Sequence, residues 1–377
     1  MVFTEKEYRW RFDRTLAWLQ EHHLDAVIVY SYKSALTSYW TGYSPRASVT
    51  NTSVFALDHT GRSVHITRHP LHLATASSAM PGLDQICASP DSTAVASPED
   101  VAQELKRWLP ASARTVGFVA YAPEAGFEGF VAEAAPGEVT NVTSSIWSLI
   151  AGRSDEQLER LREASHLAQT AFEAGVSAIT AGEPLRPAAM AAESEVRRLG
   201  DIIHCFVGAT DGAGNSLLHP QEYLVTPGTI ITFEVIPEYN LFCPEVISTV
   251  YVGGVPEGLE RVDTGIRRTL SEMTDWLSSH SSPADVAKAN AQALVELGLP
   301  PNAAIRLGHG TGLDNIEPPE DFRESDTAPF GPSRVVSIHP NAVVPGKATV
   351  VRGGTVILTE SGCEALFEFP AGPIVID

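Results

Sequence analysis

The sequence predicts an α/β protein made of two domains. A chain of 377 residues with 44% hydrophobic content is long enough for more than one core. Short apolar runs typical of buried strands alternate with longer amphipathic segments typical of helices. The rhythm changes near residue 152, after which longer helices separate the strands. We therefore expect one domain at residues 1–152 and a second at 153–377.

Caps and apolar runs define the elements of the first domain. Thr4 and Glu7 have the spacing of a capping box, which predicts a helix that continues to about Glu21. A second helix is expected to begin at Ser97, since a proline follows it directly. The stretch 135–145 contains proline and glycine and is predicted to be a loop. Buried strands are predicted at 25–30, 53–57, 63–68 and 115–120.

The second domain shows clear helix starts and stops. Ser154 and Gln157 predict the start of a long helix. Two further helices are predicted at 186–200 and 282–298, and each ends on a glycine. Strands are predicted at 228–237, 248–254, 333–340 and 354–362.

Two of these strands carry a polar residue near their carboxyl end. Glu234 lies in the first strand and His339 in the third, and a proline follows each of them. Burying a carboxylate or an imidazole is costly unless the group is paired. Both residues are therefore candidates for a functional cleft.

Composition excludes several classes of partner. The formal net charge of −20 and the pI of about 5.0 disfavour binding to phosphate backbones and to anionic membranes. The four cysteines lie far apart without a Cys-x-x-Cys pair, which argues against a disulfide framework and against a thiolate zinc site. The N-terminus lacks the apolar core of a signal peptide. We expect a cytoplasmic protein with a small-molecule substrate and with no nucleic-acid or membrane partner.

Six segments occur along the chain in a characteristic order: AGRSDEQLERLREAS, GNSLLHP, GTIITFEVIPEYNLFCPEVISTVYVGG, GHGTGLDNIEPP, VVSIHP and GGTVILTESGCEAL. In their order and spacing they resemble the pita-bread family of creatinase, proline dipeptidase and aminopeptidase P. The resemblance covers nearly the whole chain. It implies an α/β (α+β) fold in which a small creatinase-like domain precedes a pita-bread catalytic domain. It also implies a homodimer, in which Arg46 reaches the substrate in the neighbouring subunit's site.

Metal-dependent members of that family hold two ions with two Asp, one His and two Glu. Matched motif by motif, these ligands fall on Glu234, Glu245, His309, His339 and Gly353. An imidazole offers one lone pair and cannot bridge two ions, and glycine offers no ligand at all. The resemblance therefore implies no dinuclear centre, and we expect no cofactor. One ion held by Glu245, His309 and His339 is the alternative.

The same match assigns further roles. His219 falls on the proton shuttle of creatinase-like enzymes. Ile316 and Ser248 stand where a substrate-contacting His and an Arg are usual, and their loss argues against peptide hydrolysis. Ile316 and Glu317 occupy substrate-contact positions, although Glu317 also fits a structural role. Ordinary explanations exist for several of these residues: His219 and His309 as loop or turn residues, His339 as a hydrogen-bonded core histidine, and Arg46 as a surface arginine.

Three functions are compatible with these residues. The first is a metal-independent, creatinase-like hydrolase or C–N lyase for a small polar nitrogen compound. In it His219 transfers the proton, and Glu234 and Glu245 hold a cationic group. The second is a hydrolase or lyase with a single metal ion. The third is a catalytically inactive binding module. The retained polar set argues against the third, because such groups are costly in a merely structural cleft.

Overall fold

The computed structural model describes residues 3–31, 36–43, 53–79, 83–89, 95–121, 127–199, 202–210 and 223–377. The chain forms two compact units, Met1–Ala151 and Gly152–Asp377. Each unit combines helices with one β-sheet, so the predicted α/β class is confirmed. Among the described residues, no helix is both long enough and apolar enough to cross a membrane.

The first unit is a six-stranded mixed sheet with helices packed on it. Its strands are β1 (Ala26–Ser31), β2 (Ser53–Asp58), β3 (Ser63–Thr67), β4 (Asp84–Cys87), β5 (Thr115–Tyr121) and β6 (Glu138–Asn141). Its helices are α1 (Glu5–Glu21), α2 (Ser38–Thr41), α3 (Pro70–Ala79), α4 (Pro98–Trp108), α5 (Phe127–Ala134) and α6 (Thr143–Ala151). The strand order is β4-β3-β2-β1-β5-β6. Side chains such as Ile28 and Phe118 are fully buried and form its core.

The predicted caps of this unit are confirmed, but one predicted loop is wrong. Thr4 accepts a hydrogen bond from the Glu7 amide, and Ser97 forms a reciprocal capping box with Asp100. The stretch 135–145 is not a loop, because it contains β6 and the start of α6. β6 pairs in parallel with β5 at the sheet edge, and this partner is distant in sequence. A local turn signal could not reveal that pairing.

The second unit is built on a nine-stranded sheet. Its strands are β7 (Ile202–Thr210), β8 (Ile230–Glu238), β9 (Val246–Val252), β10 (Gly308–Gly310), β11 (Val335–Ile338), β12 (Asn341–Val344), β13 (Ala348–Leu358), β14 (Cys363–Ala365) and β15 (Ile374–Ile376). The main order is β10-β11-β13-β9-β8-β7, so β13 from the end of the chain lies between β9 and β11. This order brings the ends of four strands that are far apart in sequence side by side.

Among the described residues of this unit, four helices pack on the sheet: α7 (Asp155–Ser177), α8 (Arg186–Leu199), α9 (Glu260–Trp276) and α10 (Pro283–Glu296). Phe172 of α7 packs edge-on against Phe233 of β8, with ring centroids 5.7 Å apart. Val235 belongs to the same apolar cluster as Phe233. Because successive strand side chains alternate between faces, Glu234 between them points to the opposite face of β8. The sheet therefore directs this carboxyl group away from the helices α7 and α8.

Candidate functional site

Three buried polar side chains meet at the strand ends of the second unit. They are Glu245, His309 and His339. Nε2 of His309 lies 3.1 Å from Oε2 of Glu245, and Nε2 of His339 lies 3.8 Å from Oε1 of the same carboxylate. The two imidazole centroids are 5.5 Å apart. We call this cluster of one carboxylate and two imidazoles the buried triad.

The sheet order explains why these three residues meet. Glu245 directly precedes β9, His309 is the middle residue of β10, and His339 directly follows β11. β13 lies between β9 and β11, and its Thr355 hydroxyl accepts a 2.8 Å hydrogen bond from the Glu245 amide. The backbone of Glu245 is therefore fixed to the centre of the sheet.

Hydrogen bonds orient the three side chains. Nδ1 of His309 lies 2.9 Å from the carbonyl oxygen of Gly310, so Nδ1 donates there and Nε2 faces the carboxylate. The backbone of Arg306 lies close to His339, and the Ser337 hydroxyl lies close to the Glu245 carboxylate. Both imidazoles thus present a ring nitrogen to one carboxylate.

The environment separates the protonation states of the triad. Burial alone would raise the pKa of Glu245, but His339, His309 and the Ser337 hydroxyl outweigh it and lower that pKa to about 2. Burial opposes the charge on His309, yet its contacts with Glu245 and Gly310 outweigh burial and raise its pKa. For His339 burial dominates and lowers the pKa. Between pH 4.5 and 6.5, therefore, the charged forms of Glu245 and His309 are favoured as an ion pair, whereas burial favours the neutral form of His339.

Glu234 is a fourth titratable group near the triad. Its side chain is half-buried, and burial together with the negative charge of Glu245 raises its pKa well above the usual value, although Arg306 opposes this. Burial therefore favours the protonated form of Glu234, whereas Glu245 lies 3.1 Å from Nε2 of His309. The predicted role of these two glutamates, which is to hold a cationic group, stays a prediction.

The residues of the triad do not fit a dinuclear metal centre. At Gly353, where the family resemblance implies a ligand Glu, an added Cβ would lie 1.9 Å from the carbonyl oxygen of Ile338 and 2.7 Å from Cα of His339. The backbone thus fills the space that a side chain at position 353 would need. A second bridging carboxylate is also missing, since the imidazole of His339 cannot bridge two ions.

Glu317 lies beside the triad strands but is fully engaged in a different contact. Nη2 of Arg153 lies 2.8 and 2.5 Å from its two carboxylate oxygens, and both side chains are almost completely buried. The Leu313 amide also donates to Oε1 of Glu317 at 2.6 Å. In this arrangement Glu317 holds the loop after β10 in place, and its predicted contact with substrate stays a prediction.

The remaining predicted residues are placed as follows. Ile316 is half-buried in the loop after β10, and Ser248 is buried in β9, where its hydroxyl bonds to the Thr249 carbonyl oxygen. His219 and Arg46 lie outside the described residues. Their predicted roles as proton shuttle and substrate contact, and the homodimer that Arg46 implied, stay predictions.

Sequence reasoning missed the groups that orient the triad. Ser337 and Thr355 are hydroxyl residues within apolar strands, which is a pattern typical of any sheet. Arg153 had one usable signal, because it stands directly before the helix cap Ser154 and next to the domain boundary. A buried arginine at that position requires an anionic partner, and Glu317 supplies it.

Comparison with known proteins identifies the class. The chain matches the profile of metallopeptidase family M24 over residues 159–360. Solved structures share the fold across nearly the whole chain, including a Xaa-Pro dipeptidase from Bacillus anthracis, with a TM-score of 0.81 and 18% identity over 98% of this chain and 100% of that one. A prolidase from Pyrococcus furiosus matches with a TM-score of 0.77 and 18% identity over 94% of this chain and 99% of that one. The predicted pita-bread fold is therefore confirmed.

The chain belongs to metallopeptidase family M24. An uncharacterized peptidase from Staphylococcus saprophyticus subsp. saprophyticus is 25% identical over 217 residues, which are 57% of this chain and 62% of that relative. One from Staphylococcus haemolyticus is 23% identical over 220 residues, which are 58% of this chain and 62% of that relative. The chain thus spans about 62% of the length of these curated relatives.

Proposed function

We propose that this protein is a hydrolase that breaks a C–N bond in a small polar nitrogen compound and needs no metal ion for turnover. The observation that supports this proposal is the buried triad itself, in which a carboxylate lies 3.1 and 3.8 Å from two imidazoles. Glycine at position 353 and histidine at 339 remove the carboxylates that two ions would require. What they leave is a set of groups suited to proton transfer.

The four titratable groups can divide acid and base work between them. Neutral His339 can accept a proton from water, and protonated Glu234 can return one to the departing nitrogen. Groups whose surroundings push their pKa values apart are typical of such pairs. The raised pKa of His309 favours its charged form, which holds the Glu245 carboxylate in place. His219 is expected to act as the proton shuttle, a role that rests on the family resemblance.

A non-peptide substrate is favoured by two positions. The Ser248 hydroxyl is buried and bonded to the backbone, and Ile316 is apolar, so neither supplies the cation or imidazole implied for peptidases. The relatives are nevertheless named peptidases. A substrate panel distinguishes the two classes: release of amine or ammonia from ureas, amidines and cyclic amidines, against cleavage of Xaa-Pro dipeptides. Efficient cleavage of the dipeptides alone would contradict this substrate class.

Metal removal is expected to leave turnover unchanged. The purified protein should contain far less than one divalent ion per chain by elemental analysis, and incubation with a chelator should not reduce the rate. His219→Ala should lower the rate by about a hundredfold, the usual scale for a positioned acid–base group, at unchanged stability. Loss of activity with the chelator and recovery on adding back zinc or manganese would contradict metal independence.

A single metal ion is the second candidate, and one specific observation favours it. Ligand atoms of Glu245, His309 and His339 all lie within 4.8 Å of one another. Oε2 of Glu245 is buried and has no well-aligned hydrogen-bond partner, although Nε2 of His309 is 3.1 Å away. A two-histidine, one-carboxylate set suits zinc or iron. Such an ion would supply a polarised carbonyl and an activated water.

The rate is expected to show a bell-shaped dependence on pH. Activity should rise as His339 loses its proton, at a pKa below the ordinary histidine value of 6.5. It should fall as Glu234 and His309 lose their protons, each at a raised pKa, because the acid is then lost and the ion pair with Glu245 is broken. The measurement is kcat/KM from about pH 4 to about pH 10, with the folded state verified at each pH. In His339→Gln the acid limb should disappear, and an unchanged acid limb would exclude His339 as the base.

A further inference from the structure

Gly353 occupies an unusual place in the central strand of the second sheet. β13 pairs with β12 through residues 348–351 and with β11 through residues 354–357, so Gly353 lies where the strand changes partner. His339 and Pro340, which join β11 to β12, lie directly opposite the point where β13 changes its pairing partner. On its other side Gly353 pairs with Ile247 of β9, two residues after Glu245.

The end of β11 approaches β13 more closely at Gly353 than any side chain would allow. A Cβ at position 353 would lie 1.9 Å from the Ile338 carbonyl oxygen, 2.8 Å from the Ile338 carbonyl carbon and 2.7 Å from Cα of His339. All three atoms belong to the backbone, so no rotation of a side chain can relieve the clash. Non-bonded heavy atoms rest at about 3.5 Å, so the end of β11 would have to move by roughly 1 Å or more.

The direction of that movement matters for the triad. In the sheet order β13 lies between β9, which follows Glu245, and β11, which precedes His339. Moving the end of β11 away from β13 therefore also moves His339 away from Glu245. His309 on β10 contacts Glu245 through its own side chain and is not adjacent to Gly353.

We propose that Gly353 positions His339: the missing side chain lets the end of β11 close onto β13, which brings His339 beside Glu245 and limits the centre to at most one ion. The inference shares one assumption with the proposed function, namely that His339 belongs to the functional site. It does not depend on the substrate or on whether an ion is needed. Glycine at position 353 and histidine at position 339 then act together, because the glycine sets the position of the imidazole.

Crystal structures of Gly353→Ala and of the control Gly362→Ala test the positioning. Gly362 has nothing within 4 Å of an added Cβ, so the control should change neither stability nor the triad. In Gly353→Ala the distance from Nε2 of His339 to Oε1 of Glu245 should increase from 3.8 Å by roughly 1 Å, while the 3.1 Å contact between His309 and Glu245 is kept. An alanine variant with the 3.8 Å distance unchanged would overturn the proposal.

A second measurement covers the case in which Gly353→Ala does not fold. The wild-type protein is titrated with Co²⁺ alone, and the bound ions are counted by calorimetry and by the visible spectrum. Zero or one ion per chain at micromolar affinity supports the proposal that the end of β11, packed onto β13 at Gly353, leaves space for at most one ion. Two ions per chain would show that the space is open and would overturn the proposal. Neither result bears on turnover, so failure here is distinct from failure of the proposed metal-independent hydrolysis.

Discussion

Glu245→Gln is expected to lower turnover by about a hundredfold or more and the free energy of unfolding by about 3–5 kcal/mol. The substitution keeps the size of the side chain but removes the negative charge that pairs with His309 at 3.1 Å. Both partners are almost fully buried, so water cannot replace the lost interaction. Chemical denaturation and steady-state kinetics measure the two effects separately.

The stability loss in Glu245→Gln should depend on pH in a defined way. The folded pKa of Glu245 lies below the ordinary value of 4.5, so its contribution is complete above 4.5 and is lost as the pH falls towards about 2. The folded pKa of His309 is raised, so its contribution is complete below 6.5 and is lost as the pH rises through the folded pKa. The difference from wild type should therefore be largest between pH 4.5 and 6.5.

The matched control is Glu296→Gln. Glu296 pairs with Arg268 on the surface, where both side chains are about half exposed, so its loss should cost about 0–1 kcal/mol. A Glu245→Gln protein as stable as this control at pH 6 would show that the buried ion pair contributes little.

Glu317→Gln is expected to lower the free energy of unfolding by about 3–5 kcal/mol while leaving KM of the folded fraction unchanged. The variant leaves the buried guanidinium of Arg153 without its anion, and a guanidinium cannot release its proton. Arg334 is also close enough to interact with both partners, so two cations would then lie together. Thermal and urea unfolding measure the loss.

Glu364→Gln is the control for this variant, because Glu364 pairs with Arg162 where both side chains are about 40% exposed. There we expect about 0–1 kcal/mol. If Glu317→Gln instead raises KM at nearly unchanged stability, the carboxylate contacts substrate, as its family position implied.

Much of the fold could be predicted from local signals. Ser97 and Ser282 each form a reciprocal capping box with an aspartate three residues later, so α4 and α10 begin where the sequence indicates. α9 was not predicted, and its start shows why: its N-cap is Leu259, which makes no side-chain capping bond. Short strands such as β10 and β14 have three residues each, too few for a local sequence window to predict, and each pairs with one longer strand, β11 and β13 respectively.

The residues of the candidate site could be predicted from the sequence, but the contacts between their side chains could not. Glu234 and His339 were conspicuous as polar residues in apolar strands, and the family resemblance added Glu245 and His309. Which carboxylate pairs with an imidazole depends on the order β10-β11-β13-β9, which joins segments up to 110 residues apart. The closure at Gly353 depends on backbone distances alone, so no residue pattern could indicate it.

The central position of β13 also affects how the second unit is made by the ribosome. The Glu245 amide bonds to Thr355, which is synthesised 110 residues later. At about 5–20 residues per second, the growing chain carries Glu245 for roughly 5–20 s before its strand neighbour exists. During that interval β9 has an open edge with Val246 and Ile247 unpaired on the β13 side. Nascent chains stalled before residue 348, which lack β13, should therefore bind holding chaperones. Chains in which all of β13 has left the ribosome should not.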